Sequence, residues 1–173
     1  MRFAVALIAA LTLVACKEDV AKAPPPPADL TEEALSYFCQ MNVAEHGGPK
    51  GQIHLDGHPA PLFFAQVRDM VAYLKSPERD AEITAVYVSD MGVAENWETP
   101  GIGNWIDAET AVFVVGAPVR GGMGAPEIVP FAGRGAAEAF SERWGGKVVS
   151  LDAIPDEAAI GAIDMTLTLE TPS

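Results

Sequence analysis

A succession of two strands, one helix and one strand occurs twice along the 173-residue sequence and restricts the folds open to it. In the first copy, about residues 52–90, alternating apolar residues predict the strands, and apolar residues at i, i+3, i+4 and i+7 predict the helix. Turn residues such as Ser76-Pro77 separate these elements. The predicted strands are residues 52–55, 62–65 and 83–88, and the predicted helix is residues 66–75.

The second copy covers about residues 105–152 and has the same order of elements. Its predicted strands are residues 111–115, 127–131 and 147–151, and its predicted helix is residues 134–144, followed by Gly145-Gly146. One such unit leaves the apolar face of its sheet half covered, so two units should pack against each other. We therefore expect an α+β fold in which two duplicated ββαβ units form one compact body.

The N-terminal residues have the features of a secreted lipoprotein. Arg2 precedes an apolar run of about a dozen residues, which is too short to span a bilayer well. The run ends in Leu13-Val14-Ala15-Cys16, which resembles a bacterial lipobox. We expect residues 1–15 to be a signal peptide and Cys16 to be lipidated; the alternative is an ordinary secretory signal with an incidental cysteine. Lys17, in place of an aspartate, favours the outer membrane.

Residues 16–30 have the composition of a spacer. They include Pro24-Pro25-Pro26-Pro27, and a proline run favours the extended polyproline II conformation. Such a spacer would hold a folded domain, residues 31–160, away from a membrane surface. Residues 161–173 form a tail that alternates apolar and polar residues from Ile163, so it is either an extra edge strand or an exposed end.

Acidic residues outnumber basic ones by 24 to 11, which gives the chain a formal net charge of −13. Nucleic acids are bound by basic surfaces, so this charge balance argues against a nucleic-acid partner. An acidic surface is compatible with a cationic cargo, although it also serves ordinary solubility. Hydrophobic residues make up 49% of the sequence, which is enough for a substantial core.

Cys39 and Met41 are the strongest candidates for a metal site. Once residues 1–15 are removed and Cys16 is lipidated, Cys39 is the only free thiol left, so it cannot form a disulfide within the chain. A thiolate with a thioether selects Cu(I) over harder cations, and the imidazole of nearby His46 also suits copper. Positions i and i+2 point apart on a helix, so coordination by both residues requires a loop or an extended segment.

Two more methionines, Met91 and Met123, lie in glycine-containing loops, where a flexible apolar side chain has no obvious core to fill. Because binding residues are often carried on loops, both are additional candidate ligands. Met70 and Met165 differ, since they lie on the apolar faces of a predicted helix and of the tail. We expect these two side chains to pack rather than to bind metal.

Several ungapped blocks of the sequence resemble the NosL family, the nitrous oxide reductase accessory lipoproteins. The blocks are residues 37–42, 45–46, 48–55, 67–69, 87–92, 104–108 and 120–126. The resemblance covers about residues 37–155 and implies a fold similar to a domain of organomercurial lyase. It implies a periplasm-facing, lipid-anchored metallochaperone that delivers Cu(I) for the copper centres of nitrous oxide reductase during denitrification. Its implied partner is a membrane-bound maturation complex that includes an ABC transporter.

The resemblance also implies roles for individual residues. Cys39 and Met41 match the metal-binding positions most firmly, and Met123 matches as a further sulfur ligand. His46 and Met91 match only as nearby candidates. The family is not enzymatic, so no catalytic residue is implied.

Other readings of the sequence stay open beside this resemblance. Cys39 with His46 could be the nucleophile and base of a thiol-dependent enzyme of organomercurial-lyase type, although the single free thiol counts against it. A lipid-anchored adaptor that binds no metal is the other alternative, because cysteine is often simply buried. A zinc site formed by His54 and His58, at positions i and i+4, would need a helix. Turn residues lie between the two histidines, which argues against such a site.

Overall fold

The computed structural model of the chain describes residues 23–164 and 166–172. The predicted signal peptide, the predicted lipidation residue Cys16 and the predicted packing residue Met165 lie outside the described residues. No helix within the described ranges is long and apolar enough to cross a membrane.

An antiparallel sheet is built mainly from the first half of the chain. Its elements are β1 (Gly51–Leu55), β2 (Leu62–Phe64), α1 (Val67–Lys75), β3 (Ile83–Val88) and β4 (Ile106–Asp107). The strands lie in the order β2-β1-β3-β4. In the pairing of β1 with β3, Ile53 is opposite Val86. Helix α1 connects β2 to β3 and places its apolar side, including the fully buried Met70, against the sheet.

A second antiparallel sheet follows in the sequence. Its elements are β5 (Val112–Val115), β6 (Val129–Phe131), α2 (Arg134–Trp144) and β7 (Lys147–Ser150). The strands lie in the order β6-β5-β7. A short helix, α3 (Asp156–Ile160), comes after β7 and packs against α1. Single turns of 3-10 helix occupy Val43–Glu45 and Leu151–Ala153.

The order of elements agrees closely with the order that the sequence predicts. Strand, strand, helix and strand follow one another in each sheet, and the first strand of each series lies in the middle. The bounds of β3 and α2 match the predicted residues. Strand β4 differs from the prediction, because it pairs with β3 and extends the first sheet rather than opening the second unit. A strand of two residues has no periodicity from which its partner could be predicted.

The polar-to-apolar sequence of residues 31–38 is compatible with a helical turn, but in the structure this segment consists of short turns and two isolated bridges, Leu35 with Asn42 and Ser36 with Phe63. Ser36 N donates a hydrogen bond to Met41 O at 2.9 Å, and Tyr37 N donates to Phe63 O at 2.7 Å. These bonds satisfy backbone groups that a helix would have satisfied locally. Residues 31–38 therefore contain turns but no regular helix, because the bridge between Ser36 and Phe63 of β2 interrupts the segment.

Both sheets share one apolar core because strand β5 is buried on its two faces. Phe113 and Val115 belong to the cluster that α1 and the first sheet form, whereas Val114 belongs to a second cluster with residues of α2. This division follows from the two-residue period of a strand. The two units consequently form one compact α+β body.

The proline-rich segment is docked on the first sheet over part of its length. Tyr87 Oη donates to Pro25 O at 2.7 Å. The buried side chain of Gln52 accepts from Ala28 N at 2.9 Å and donates to Ala28 O at 3.0 Å. Residues 25–28 therefore cover the face of β1 that points away from the core, and they are not part of a free spacer.

The C-terminal tail is exposed at residues 162–164 and 166–168, is held to the second unit at Glu170, and has a buried Pro172 near its end. Glu170 forms an isolated parallel bridge with Val119, and Glu170 O accepts from Arg120 N at 2.8 Å. Ile163 and Leu167 are both exposed. Of the two possibilities that the alternating sequence leaves open, the structure therefore favours the exposed end.

Candidate metal centre

A tight turn presents Cys39 at the surface of the molecule. Gln40 N donates to Ser36 O at 2.8 Å, which closes the turn. Gln40 has a φ of 56° and is the only non-glycine residue with positive φ in the described part of the chain. Its side chain stabilises this left-handed conformation by donating to Tyr37 O at 2.8 Å. Residues 39–41 are thus a loop, as the Cys39–Met41 spacing requires for joint coordination.

Met123 is carried by a glycine-rich loop that closes on itself. Gly121 N donates to Ala125 O at 2.8 Å, and Gly124, with a φ of 81°, lies at the tip of this turn. The backbone N of Met123 donates to the side-chain Oε1 of Gln66 at 3.2 Å. Gln66 immediately precedes α1, so the loop between β5 and β6 is fastened to the first unit.

The two loops bring Cys39 and Met123 together. The thiol of Cys39 points to the thioether of Met123, with Sγ and Sδ 3.7 Å apart although the residues are 84 positions apart in sequence. We call these two residues the sulfur pair. Cys39 is half-buried, so the pair lies at the protein surface and is not part of a closed core. Met41 is 46% exposed on the same turn as Cys39.

His46 lies next to the loop that carries Met123. A Cβ added to Gly122 would come within 3.0 Å of the Cβ of His46. The ring Nε2 of His46 is buried and has no hydrogen-bond partner. A ring nitrogen without a protein partner is free to accept a proton donor or to bind a metal.

A buried ammonium group and a buried carboxyl group flank the same loop. Lys50 Nζ donates to Gly47 O at 3.0 Å, to Ala65 O at 3.2 Å and to His46 O. Burial lowers the pKa of Lys50 to about 8, and the charge of Glu127 opposes this change. Burial raises the pKa of Glu127 to about 8, against hydrogen bonds from Arg68 N and Ile128 N.

Met91 lies in a different environment from the sulfur pair. Its backbone N donates to Pro130 O at 3.0 Å, and its side chain packs against the second apolar cluster. There it borders a cavity of about 450 Å³ with Phe131 and Phe140 among the lining residues. The structure thus brings Cys39 and Met123 into contact, with Met41 on the same turn as Cys39 and His46 beside the Met123 loop, and gives Met91 a packing role.

The two remaining histidines do not form a metal pair. His54 Nε2 lies 2.9 Å from Gln52 Oε1 and is half-buried in β1, while His58 is exposed in the turn that follows. Within the described ranges, no group of three or more His, Cys, Asp and Glu side chains could hold a metal ion. Methionine sulfur lies outside this set of side chains and is a ligand for soft ions.

Sequence reasoning missed the polar residues behind the site. Glu127 is predicted only as the start of a strand, and neither Lys50 nor Glu127 is predicted to have a role in the site. A lysine or glutamate directly beside an apolar strand is buried only when it has partners, and the sequence shows this position for both residues but does not show what their partners are. Gln66 had no comparable signal, since a polar residue before a helix is ordinary.

The fold and the sulfur pair indicate a class of protein: an α+β domain that presents two sulfur atoms of the kind that soft metal ions prefer at its surface. The chain belongs to the NosL family, whose model matches residues 27–159. It is 51% identical over 165 residues to the copper-binding lipoprotein NosL of Achromobacter cycloclastes, covering 95% of this chain and 85% of the relative. It is 32% identical over 158 residues to the protein of the same name from Stutzerimonas stutzeri, covering 90% and 80%.

Solved structures of two relatives share the fold. The crystal structure of the copper chaperone NosL from Shewanella denitrificans matches with a TM-score of 0.70 and 33% identity, covering 75% of this chain and 97% of that one. The solution structure of apo-NosL from Achromobacter cycloclastes matches with a TM-score of 0.50 and 51% identity, covering 66% and 92%. These relatives are named as copper-binding proteins and not as enzymes, which agrees with the non-enzymatic prediction.

Proposed function

We propose that this chain binds one Cu(I) ion with Cys39, Met123 and Met41 and passes it to a partner protein. The observation that supports this most is the 3.7 Å distance between Cys39 Sγ and Met123 Sδ. Two sulfur atoms that share a tetrahedral ion at about 2.3 Å lie roughly 3.8 Å apart, so the pair is already spaced for joint coordination. Thiolate and thioether ligands prefer Cu(I) to harder ions.

The exposure of the site suits a carrier. Met41 is 46% exposed beside the half-buried Cys39, and Phe38 on the same turn is 51% exposed. A partner's ligand can reach an ion held at this surface and displace the protein's ligands one at a time. His46, whose Nε2 is buried and unpartnered, is a further candidate ligand, and Met91 is the least supported one.

The proposed setting of this function is the periplasmic side of a bacterial membrane. Cys16 would carry the lipid anchor, and the outer membrane is the proposed location. The cargo would serve the copper centres of nitrous oxide reductase during denitrification, through a membrane-bound maturation complex with an ABC transporter. The net charge of −13 is compatible with a cationic cargo and argues against a nucleic-acid partner.

The proposed origin of the fold is an internal duplication. In both sheets the first strand of the unit lies between the second and the third, and a helix connects the second to the third. This shared topology supports two copies of one ββαβ unit, and a relation to a domain of organomercurial lyase is part of the same proposal.

The test of copper binding is anaerobic competition for Cu(I) against a coloured chelator, with soluble protein lacking residues 1–16. One copper per chain should be held tightly. Cys39→Ala should weaken binding most, because the thiolate is the strongest ligand of the set, and Met123→Ala and Met41→Ala should weaken it less. Met91→Ala is the matched control and should bind as wild type does.

The same experiment decides between the alternatives. Binding that is absent, or indifferent to Cys39→Ala, would contradict the carrier and favour an adaptor without metal. Alkylation of Cys39 adds a second readout. A ligand should be protected from alkylation when copper is present, whereas a thiol that is only buried should react at one rate with and without copper.

A further inference from the structure

Lys50 is a buried cation whose hydrogen bonds all go to backbone carbonyls near the sulfur pair. Its side chain is 3% exposed, and Nζ donates to the carbonyl oxygens of His46, Gly47 and Ala65. An ammonium group has three donors and no acceptor, so these bonds saturate it. Lys50 therefore cannot ligate a metal ion. Its side chain instead holds three backbone carbonyl groups in position.

Two of these carbonyls form the surface on which the Met123 loop rests. A Cβ added to Gly122 would lie 2.6 Å from Ala65 O and 2.9 Å from Gly47 O. We call these two oxygens the carbonyl floor. The backbone of Gly122 touches the floor directly, and the next residue is Met123. A movement of the floor would therefore move Met123.

The residue after Ala65 fixes the same loop from a second direction. Gln66 Oε1 accepts from Met123 N at 3.2 Å, and Gln66 Nε2 donates to Asp69 Oδ1 at 2.8 Å. Residues 65 and 66 thus fix both the position of Gly122 and the orientation of the Met123 backbone. Lys50 joins this segment to residues 46–47, because its Nζ bonds both Ala65 O and Gly47 O on the same side of Gly122.

We infer that Lys50 is a positioning residue that holds Met123 next to Cys39 through the carbonyl floor. The inference rests on the proposed function, because it assigns Lys50 to the second sulfur ligand of the copper site. A purely structural lysine would affect every ligand alike. A positioning lysine affects the contribution of Met123 to Cu(I) affinity. It does not change the contribution of Met41, which lies on the other loop.

The test measures Cu(I) affinity by chelator competition in a double-mutant cycle. Lys50→Met keeps the length of the side chain and removes its donors. It should weaken Cu(I) binding by about 10- to 100-fold, the usual effect of losing a partner that orients a ligand. Adding Met123→Ala should then cause little further loss, whereas adding Met41→Ala should cause its full loss. Lys75→Met, on the far end of α1, is the matched control and should bind as wild type does.

X-ray absorption of the copper-loaded variants gives an independent readout. Lys50→Met should show one sulfur neighbour fewer than wild type, and Lys75→Met should show the wild-type number. Should Lys50→Met fail to fold, Gly122→Ala tests the same inference, because its methyl group would clash with the carbonyl floor. Gly135→Ala adds the same methyl group to α2 where nothing lies within 4 Å, and it should leave affinity unchanged.

Two results would overturn the inference while leaving copper binding intact. One is wild-type affinity in folded Lys50→Met or Gly122→Ala. The other is full additivity of Lys50→Met with Met123→Ala, which would show that the two residues act independently. Failure of the proposed function looks different, since wild-type protein itself would then hold no copper.

Discussion

Among single residues, Glu127 shows how a buried carboxyl group shapes this molecule. Its Oε1 accepts from Arg68 N at 3.0 Å and from Ile128 N at 2.9 Å, while Oε2 is buried without a partner. Arg68 lies in the first turn of α1, where Gln66 makes no side-chain capping bond. Glu127 therefore supplies the cap of α1 from the second unit.

The pKa of Glu127 predicts how stability depends on pH. Burial raises it from 4.5 to about 8 in the folded protein, so folding retains a proton that the unfolded chain releases. The contribution of this proton to stability is full below pH 4.5 and is lost as the pH rises toward 8. Glu127→Gln cannot titrate and should flatten this part of the profile, as measured by denaturant unfolding of copper-free protein.

The window for that measurement is about pH 5 to 8, and His54, whose pKa burial lowers, contributes to the slope of wild type and variants alike. Lys50, whose pKa burial lowers to about 8, stays protonated in both states over most of this window. Glu142→Gln, an exposed residue of α2, is the control and should keep the wild-type slope. An unchanged slope in Glu127→Gln would contradict the prediction.

The candidate site was predictable from sequence only where its residues are close together along the chain. Cys39 and Met41 are two positions apart, so their chemistry could be read directly. Met123 could be suggested from its glycine-rich context, but its 3.7 Å distance to Cys39 depends on how two loops of different units meet. Lys50 escaped prediction because its partners are backbone carbonyls, which no sequence pattern specifies.

At the scale of elements, the docked segment of residues 25–28 covers part of the face of the first sheet that points away from the core. Gln52 is fully buried beneath it and bonds both backbone groups of Ala28. Tyr87 holds Pro25 with a single bond. Polyproline geometry leaves backbone carbonyls free to accept, which makes the segment suitable for this contact.

Gln52→Leu should release this segment. The variant loses both bonds to Ala28, so the amide of Ala28 should exchange with solvent faster, and the free energy of unfolding should fall by about 1–3 kcal/mol. Hydrogen exchange and denaturant titration measure the two effects. Tyr87→Phe, which removes one bond, should give a smaller change in the same direction. Wild-type exchange at Ala28 in Gln52→Leu would show that the segment is held by other contacts.

The elements themselves were predictable because both units have strong apolar periodicity. The residues of β3 and α2 alternate or recur so regularly that the sequence specifies their ends. The errors fall where long-range pairing decides the structure. Ser36 pairs with Phe63 of β2, and β4 joins the first sheet, and neither partner could be identified from local pattern.

In the whole molecule, the shared core should make the two units unfold together. Phe113 in β5 is fully buried against residues of the first unit. Phe113→Ala should lower the free energy of unfolding by about 3–5 kcal/mol. Fluorescence of Trp97 and Trp144 in the second cluster should change over the same denaturant range as the circular dichroism. Phe140→Ala, at the partly exposed edge of that cluster, should cost less, and separate transitions would contradict a common core.

Docking of residues 25–28 on the sheet also limits the length of free chain between the proposed lipid anchor and the domain that carries the proposed copper site. With Cys16 lipidated as proposed, the chain from there to Pro25 can span at most roughly 30 Å. A recipient in the same membrane would then meet the site at an effective concentration set by that short reach rather than by diffusion through the periplasm. Lengthening the segment before Pro25 would lower this effective concentration and would leave every proposed copper ligand unchanged.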